Sequence, residues 1–309
     1  MIIHQGYENL SLVAPVVTLG IFDGVHHGHR ALLNCLVSRA KEIKGESVVI
    51  TFSPHPRLVL EQNHEDLSFL TTLEEKEVLL ENANVDHLII IKFTKKFSQI
   101  SACDFIKNVL VEKIGIKRLI VGYNHHLGRK GEGDFNNIVQ CAESSGFSVE
   151  QIKEIINGEG AVSSSSIRKA LLNGKIEEAN RLLGYYYSVS GTIIEGHGLG
   201  RSLGFPTANI KPDYEYKLIP ADGVYAVEVH LGGFTYPGML NIGSNPTVNN
   251  NAGNKSIEVN ILDFDKDIYR AEISVKFVKR LRSEKKFANT KQLTEQIMLD
   301  EQQVRSLFK

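Results

Sequence analysis

The chain has 309 residues, of which 42% are hydrophobic and 23% charged, with a formal net charge of −1. Such values describe a globular chain of roughly two domains at ~100–200 residues each. They leave no whole-molecule charge to draw in nucleic acid or an anionic membrane, and no apolar run approaches the ~20 residues that span a bilayer.

The N-terminal stretch "MIIHQGYENL" lacks a charged region followed by an apolar one, so no signal peptide is expected and the cytoplasm is the default location. "VVTLGIF" then reads as a strand and "HRALLNCLVSRAKEI" as a helix. "SVVITF" is a strand. "TTLEEKEVLLENA" is a helix, with Thr72 as N-cap and Glu75 three residues on. "VDHLIIIKF", "SACDFIKNVLVEKI" and "IKRLIVGY" continue the alternation as strand, helix and strand. Short apolar runs between amphipathic helices predict an α/β doubly wound parallel sheet, with ligands beyond the carboxyl ends of its strands. "SSSSIRKALLNGKIEEANRLLG" predicts two short helices broken at Asn173-Gly174, the second ended by Gly184. The helical period then disappears. "YYYSVSGTIIEG", "DGVYAVEVHL", "FTYPGMLNIG", "KSIEVNILDF" and "YRAEISVKFVKRL" are strand-like, and only "TKQLTEQIMLDEQQVRSLF" returns to helix. The expectation is an α/β domain over residues 1–184, followed over 185–309 by an antiparallel β-barrel with a C-terminal helix. Cys35, Cys103 and Cys141 lie far apart with no CxxC spacing, which points to neither a zinc site nor a disulfide framework.

At the first strand-to-helix junction, "GIFDGVHHGH" crowds three histidines and three glycines. A helix N-terminus there offers unpaired N–H groups and a partial positive charge, a ready anion site. Gly24 and Gly28 let the backbone approach a ligand. His26 and His29, three apart, share a face of the first helical turn and can both donate to one phosphate. A metal site and satisfied structural histidines remain alternatives. Neither GxxxxGK[ST] nor GxGxxG occurs.

This stretch resembles the HxGH motif of nucleotidylyltransferases. With "TFSPHP", "LTTLEEK", "VSSSSIR" and "GFPTAN" in order after it, nearly the whole chain resembles the prokaryotic bifunctional riboflavin kinase/FMN adenylyltransferase (FAD synthetase) family. The resemblance implies adenylyl transfer from ATP to FMN in the first domain. Catalysis there would be positioning and stabilisation of spreading negative charge. His26 and His29 would hold the triphosphate, with Gly20, Phe22, Asp23, Gly24 and Gly28 as nucleotide contacts. Ser164 and Ser165 would open a phosphate-binding helix, and Arg168, one turn on, would fork onto phosphate oxygens. The family's segment after the next strand is altered here: Asn124 keeps a flavin-binding role, while His125, His126 and Leu127 depart from the pattern.

In the second domain, "GHGLGRSLGFPTANI" places Gly196, Gly198, Gly200 and Gly204 ahead of "PTAN". The glycines read either as a flexible hairpin or as a loop closing over nucleotide phosphates. Thr207 and Asn209, two apart on a strand, face one side, and their oxygens suit Mg²⁺. In "SIEVNILDF", Glu258 and Asn260 point away from the apolar face of Ile257, Val259 and Ile261, which by itself describes a solvated face. The family match makes Glu258 the base for the 5′-hydroxyl of riboflavin, ahead of Asp222 and Glu228, and offers Arg282 as a flavin contact.

The expectation is therefore a two-step enzyme using ATP, riboflavin and FMN as substrates with Mg²⁺. Its partners would be small molecules, with no nucleic acid and no membrane; a homo-oligomer is left open. The rivals are a monofunctional adenylyltransferase with a flavin-sensing barrel, an RNA-binding HxGH enzyme, and a nucleotidylyltransferase for another substrate such as pantetheine phosphate.

Overall fold

The computed structural model describes residues 1–123, 127–154, 162–196, 200, 204–244 and 255–309. The chain divides into two compact units, Met1–Ser163 and Ser164–Lys309.

The first unit alternates strands and helices in the predicted order. β1 (Ile2–Gln5) and β2 (Val16–Leu19) precede α1 (His27–Glu42), β3 (Ser47–Ser53), α2 (Pro56–Leu60) and α3 (Leu73–Glu81). β4 (His87–Lys92) is followed by α4 (Ala102–Phe105), which runs on into a π-helical stretch, Ile106–Val111. β5 (Arg118–Val121), α5 (Phe135–Glu143) and β6 (Ser148–Gln151) complete the unit. The six strands form one parallel sheet in the order β1-β4-β3-β2-β5-β6.

Strand alternation divides the core in two. Val17, Leu19, Val48, Ile50, Leu119 and Val121 pack on one face of the sheet, and Val16, Val49, Leu88, Ile90 and Ile120 on the other. α3 starts as the sequence predicts. Thr72 Oγ1 accepts from Glu75 N at 3.2 Å, and Glu75 Oε2 accepts from Thr72 N at 3.0 Å. The cysteine expectation is corrected: Cys103 in α4 and Cys141 in α5 are disulfide-linked across 38 residues, Cα–Cα 5.6 Å. Spacing could not reveal the pair, because it depends on two helices meeting.

β2 lies between β3 and β5: its own connection runs through α1 to β3 on one side, while the chain crosses from β4 to β5 on the other. This is the topological switch point, where a crevice opens beyond the strand ends. The segment 20–29 leaves β2 at this point.

The second unit opens with α6 (Ser164–Leu172) and α7 (Ile176–Leu183). They break at Asn173-Gly174, where Gly174 has φ +70° and faces the Arg280 guanidinium with no room for a Cβ. Gly184 caps α7 in the left-handed conformation, as predicted. β7 (Ser188–Ile194), β8 (Ala208–Pro212), β9 (Gly223–Leu231), β10 (Phe234–Ser244), β11 (Lys255–Ile261) and β12 (Glu272–Arg282) close an antiparallel barrel in the order β10-β11-β8-β7-β12-β9. α8 (Thr290–Leu307) ends the unit. Asn180 of α7 ties the helical pair to the barrel: its Nδ2 donates to Phe277 O and its Oδ1 accepts from Tyr187 N, both at 2.8 Å.

Candidate active sites

In the first unit the chain leaves β2 through left-handed backbone at Phe22 (φ +52°), Gly24 (φ +82°) and Val25 (φ +34°). Side-chain-bearing residues adopt this conformation at a cost, so the surroundings must enforce it. Asp23 does much of that. It is 4% exposed, and its Oδ1 accepts from Leu70 N (2.9 Å), Thr71 N (3.0 Å) and Thr71 Oγ1 (3.3 Å). Thr71 Oγ1 in turn accepts from Gly24 N at 3.1 Å. Asp23 and Thr71 therefore clasp the loop from beneath.

His26 is the N-cap of α1, and its Nδ1 accepts from His29 N at 3.3 Å. That bond makes Nδ1 the acceptor and leaves the proton of the neutral ring on Nε2, free to donate. The two imidazoles stack at 3.7 Å with 16° between planes, and Phe22 meets the His29 ring edge-on at 5.2 Å. Burial drives the His26 pKa down to about 4 against the opposing pull of Asp23. His29 is also held well below the usual histidine range, by burial first and then by His26 and Lys76. At neutral pH both are uncharged donors rather than cations. The Nδ1 of His29 is buried with no hydrogen-bond partner among the described residues. Gly28 keeps the turn uncrowded: a Cβ there would lie 3.2 Å from the His26 ring.

Beside this loop lies a cavity of about 480 Å³ at the carboxyl ends of the strands. Leu19 and Gly20 wall it from β2, and Phe52, Phe93, Phe97 and Phe105 from the other elements. Gly128 closes it, with its Cα against Ala102 where a Cβ would lie 2.4 Å from the Ala102 nitrogen. Sequence reasoning passed over these phenylalanines, because no local period links positions 52, 93, 97 and 105. Thr71 and Lys76 lie inside "LTTLEEK", whose order in the chain carries the resemblance but gives neither residue a role.

Ser164 and Ser165 open α6, with Arg168 one turn on, as predicted; these residues belong to the second compact unit. Asn124 and Gly198 lie outside the described residues.

The second site is built across strands. Glu258 of β11 pairs with Asn209 of β8 in register, and Thr207 Oγ1 donates to Glu258 Oε2 at 3.3 Å. Asn260, two residues on from Glu258, is 6% exposed rather than solvated, and its Nδ2 donates to Pro206 O at 2.7 Å. That bond pins the segment that carries Thr207. Gly196 packs on Asn209, where a Cβ would lie 1.8 Å from Nδ2, and a Cβ on Gly200 would lie 3.2 Å from Thr207 Oγ1. A cavity of about 270 Å³ borders Thr207, walled by Ile193, Pro206, Phe264 and Tyr269. The weaker base candidates are engaged elsewhere: Asp222 pairs with Lys255 at 3.1 Å, and Glu228 lies 3.7 Å from His230. Arg282 is also engaged, by Asp300 of α8 at 2.8 Å, a carboxylate only 1% exposed.

A parallel sheet carries a histidine-bearing helix N-terminus at its switch point, and a closed barrel pairs a carboxylate with a hydroxyl and an amide, so the chain has the build of a two-site protein. The FAD synthetase family model matches residues 11–166 and the riboflavin kinase family model residues 183–308. A bifunctional riboflavin kinase/FMN adenylyltransferase of Listeria monocytogenes is 39% identical, covering 96% of this chain and 93% of its own. The protein of that description from Escherichia coli K12 is 37% identical over 98% of this chain and 97% of its own. A crystal structure from Streptococcus pneumoniae, described as a macrolide-efflux protein, matches with a TM-score of 0.88 at 30% identity, covering 98% of both chains. Among the described residues no helix is long and apolar enough to cross a membrane. The chain belongs to the bifunctional riboflavin kinase/FMN adenylyltransferase family.

Proposed function

We propose that this chain phosphorylates riboflavin to FMN in the barrel and adenylylates FMN to FAD, with release of pyrophosphate, at the histidine loop. The observation that carries the reading is the presence of two separately built sites, each holding the donors its step needs. The functional boundary falls between residues 184 and 185 in this reading.

In adenylyl transfer the FMN phosphate attacks the α-phosphorus of ATP and needs no protein nucleophile. His26 donates from Nε2 to a phosphate oxygen, and His29, stacked on it, supplies the second ring. Gly20, Gly24 and Gly28 give backbone access, while Phe22 and Asp23 act from beneath by fixing the loop. Ser164, Ser165 and Arg168 serve the polyphosphate. The phenylalanine-walled cavity suits the flat apolar ring system of the flavin, and its volume falls in the range of small-molecule sites. Asn124 would contact the flavin.

In the kinase step Glu258 takes the proton of the ribityl hydroxyl as that oxygen attacks the γ-phosphorus of ATP. Thr207 and Asn209 present hard oxygen donors beside that carboxylate, so the donor set fits Mg²⁺. When bound, the ion neutralises charge on the nucleotide phosphates. Gly196, Gly198 and Gly200 would cover those phosphates. Arg282, held by Asp300 of α8, would contact the flavin. The reading places the enzyme in the cytoplasm and leaves self-association open.

The test is a time course with riboflavin, ATP and Mg²⁺, separating the flavins by chromatography. FMN rising before FAD supports two sites in sequence. No product from either riboflavin or FMN overturns the reading.

A further inference from the structure

Lys76 is an anomaly in the first unit. It sits one turn into α3, immediately after the capping box, and is only 6% exposed. A buried ammonium is unfavourable unless an anion or acceptors meet it. Among the described residues neither a hydrogen bond nor an ion pair holds its Nζ.

The charged and titratable groups that act on it come from the histidine loop. Asp23 stabilises its charge, and the lysine in turn pushes down the pKa of His29. His26 lies stacked behind His29. On its own helix Glu75 is committed to the cap through Thr72, and Glu74 shares the first turn. Asp23 already accepts two backbone N–H bonds and one hydroxyl bond, so it is not waiting for the lysine.

We propose that Lys76 is a phosphate-binding residue of the adenylyltransferase site, its ammonium meeting the polyphosphate of the nucleotide and the pyrophosphate that leaves. The inference rests on the proposed adenylyl transfer. It explains a division of labour. The neutral imidazoles give direction through hydrogen bonds, and the lysine gives the charge they lack. Burial lowers the Lys76 pKa to about 8, so the free site loses this charge as pH rises through that value.

The test uses the full chain with Lys76→Met and Lys76→Arg. Binding of inorganic pyrophosphate is measured by calorimetry, and the KM for ATP in FAD formation from FMN is measured alongside. Lys76→Met should weaken pyrophosphate binding and raise that KM by about 10- to 100-fold, the worth of one charge-assisted contact. Lys76→Arg should restore most of the affinity and hold it to higher pH than the wild type. Riboflavin phosphorylation should be unchanged in both. Unchanged pyrophosphate binding in Lys76→Met overturns the proposal. If Lys76→Met unfolds the first unit, Lys76→Arg decides: an alkaline loss of affinity identical to the wild type overturns it. A wild type that binds pyrophosphate yet makes no FAD from FMN would sink the assigned reaction and leave the lysine's role measurable.

Discussion

In the proposed function the two candidate sites solve a similar problem, holding ATP against a flavin, with different parts of the chain. In the parallel-sheet unit the site is made by a loop. Its backbone turns through left-handed conformations, a buried carboxylate clasps it, and the helix N-terminus does the presenting. In the barrel the site is made by register. Glu258 and Asn209 face one another because β11 and β8 pair there, and Thr207 follows from the same strand edge. Parallel strands are buried on both faces, so chemistry moves to their ends. Antiparallel barrel strands can carry it along their length.

Substitutions at each centre should separate the two activities most strongly. Glu258→Ala should lower riboflavin phosphorylation by ~10²–10⁴, the usual worth of a positioned base, while FAD formation from supplied FMN persists. His29→Ala should lower FAD formation by ~10²–10³ and spare the kinase. Loss of both activities in a folded single variant would erase the distinction between the sites.

Acid should distinguish the units through stability. The folded pKa of His26 is about 4, whereas an unfolded chain has the ordinary value of 6.5. As pH falls, the unfolded state takes the proton first. The stability held by the neutral buried ring is complete above 6.5 and is lost between 6.5 and 4, about 3 kcal/mol over the window. Thermal melts of wild type and His26→Asn across that range should differ in slope; parallel curves would show that the ring is not buried neutral.

The glycines give the finest comparison. Gly196→Ala drives a Cβ into Asn209 Nδ2 at 1.8 Å and should cost the kinase ~10- to 100-fold through displacement of that side chain. Gly28→Ala brings a Cβ only to 3.2 Å from the His26 ring, so FAD formation should fall by a few-fold. A reversed order of these effects would mean that the barrel site tolerates movement better than the loop.

Much was legible in the chain itself. Periodicity, the Thr72 capping box, the break at Asn173-Gly174 and the cap at Gly184 are local, decided by neighbours within a turn or two, and each is where the pattern placed it. Strand alternation set Thr207 and Asn209 on one side, while their approach to Glu258 came from the pairing of β11 with β8.

Other features needed distant residues to meet. Alternation put Asn260 on a solvated face, but closure of the barrel buried it against Pro206. The Cys103–Cys141 link required α4 to meet α5, and the cavity required phenylalanines from position 52 to 105 to converge. The sequence marked His26 and His29 as the chemistry of the first site, yet only burial in the folded unit strips them of charge. The same burial lowers the Lys76 pKa to about 8, against the pull of Asp23. Hydrogen-bond donors are a property of residue type and can be read in order. Charge state depends on the solvent that folding removes, and no local pattern records that.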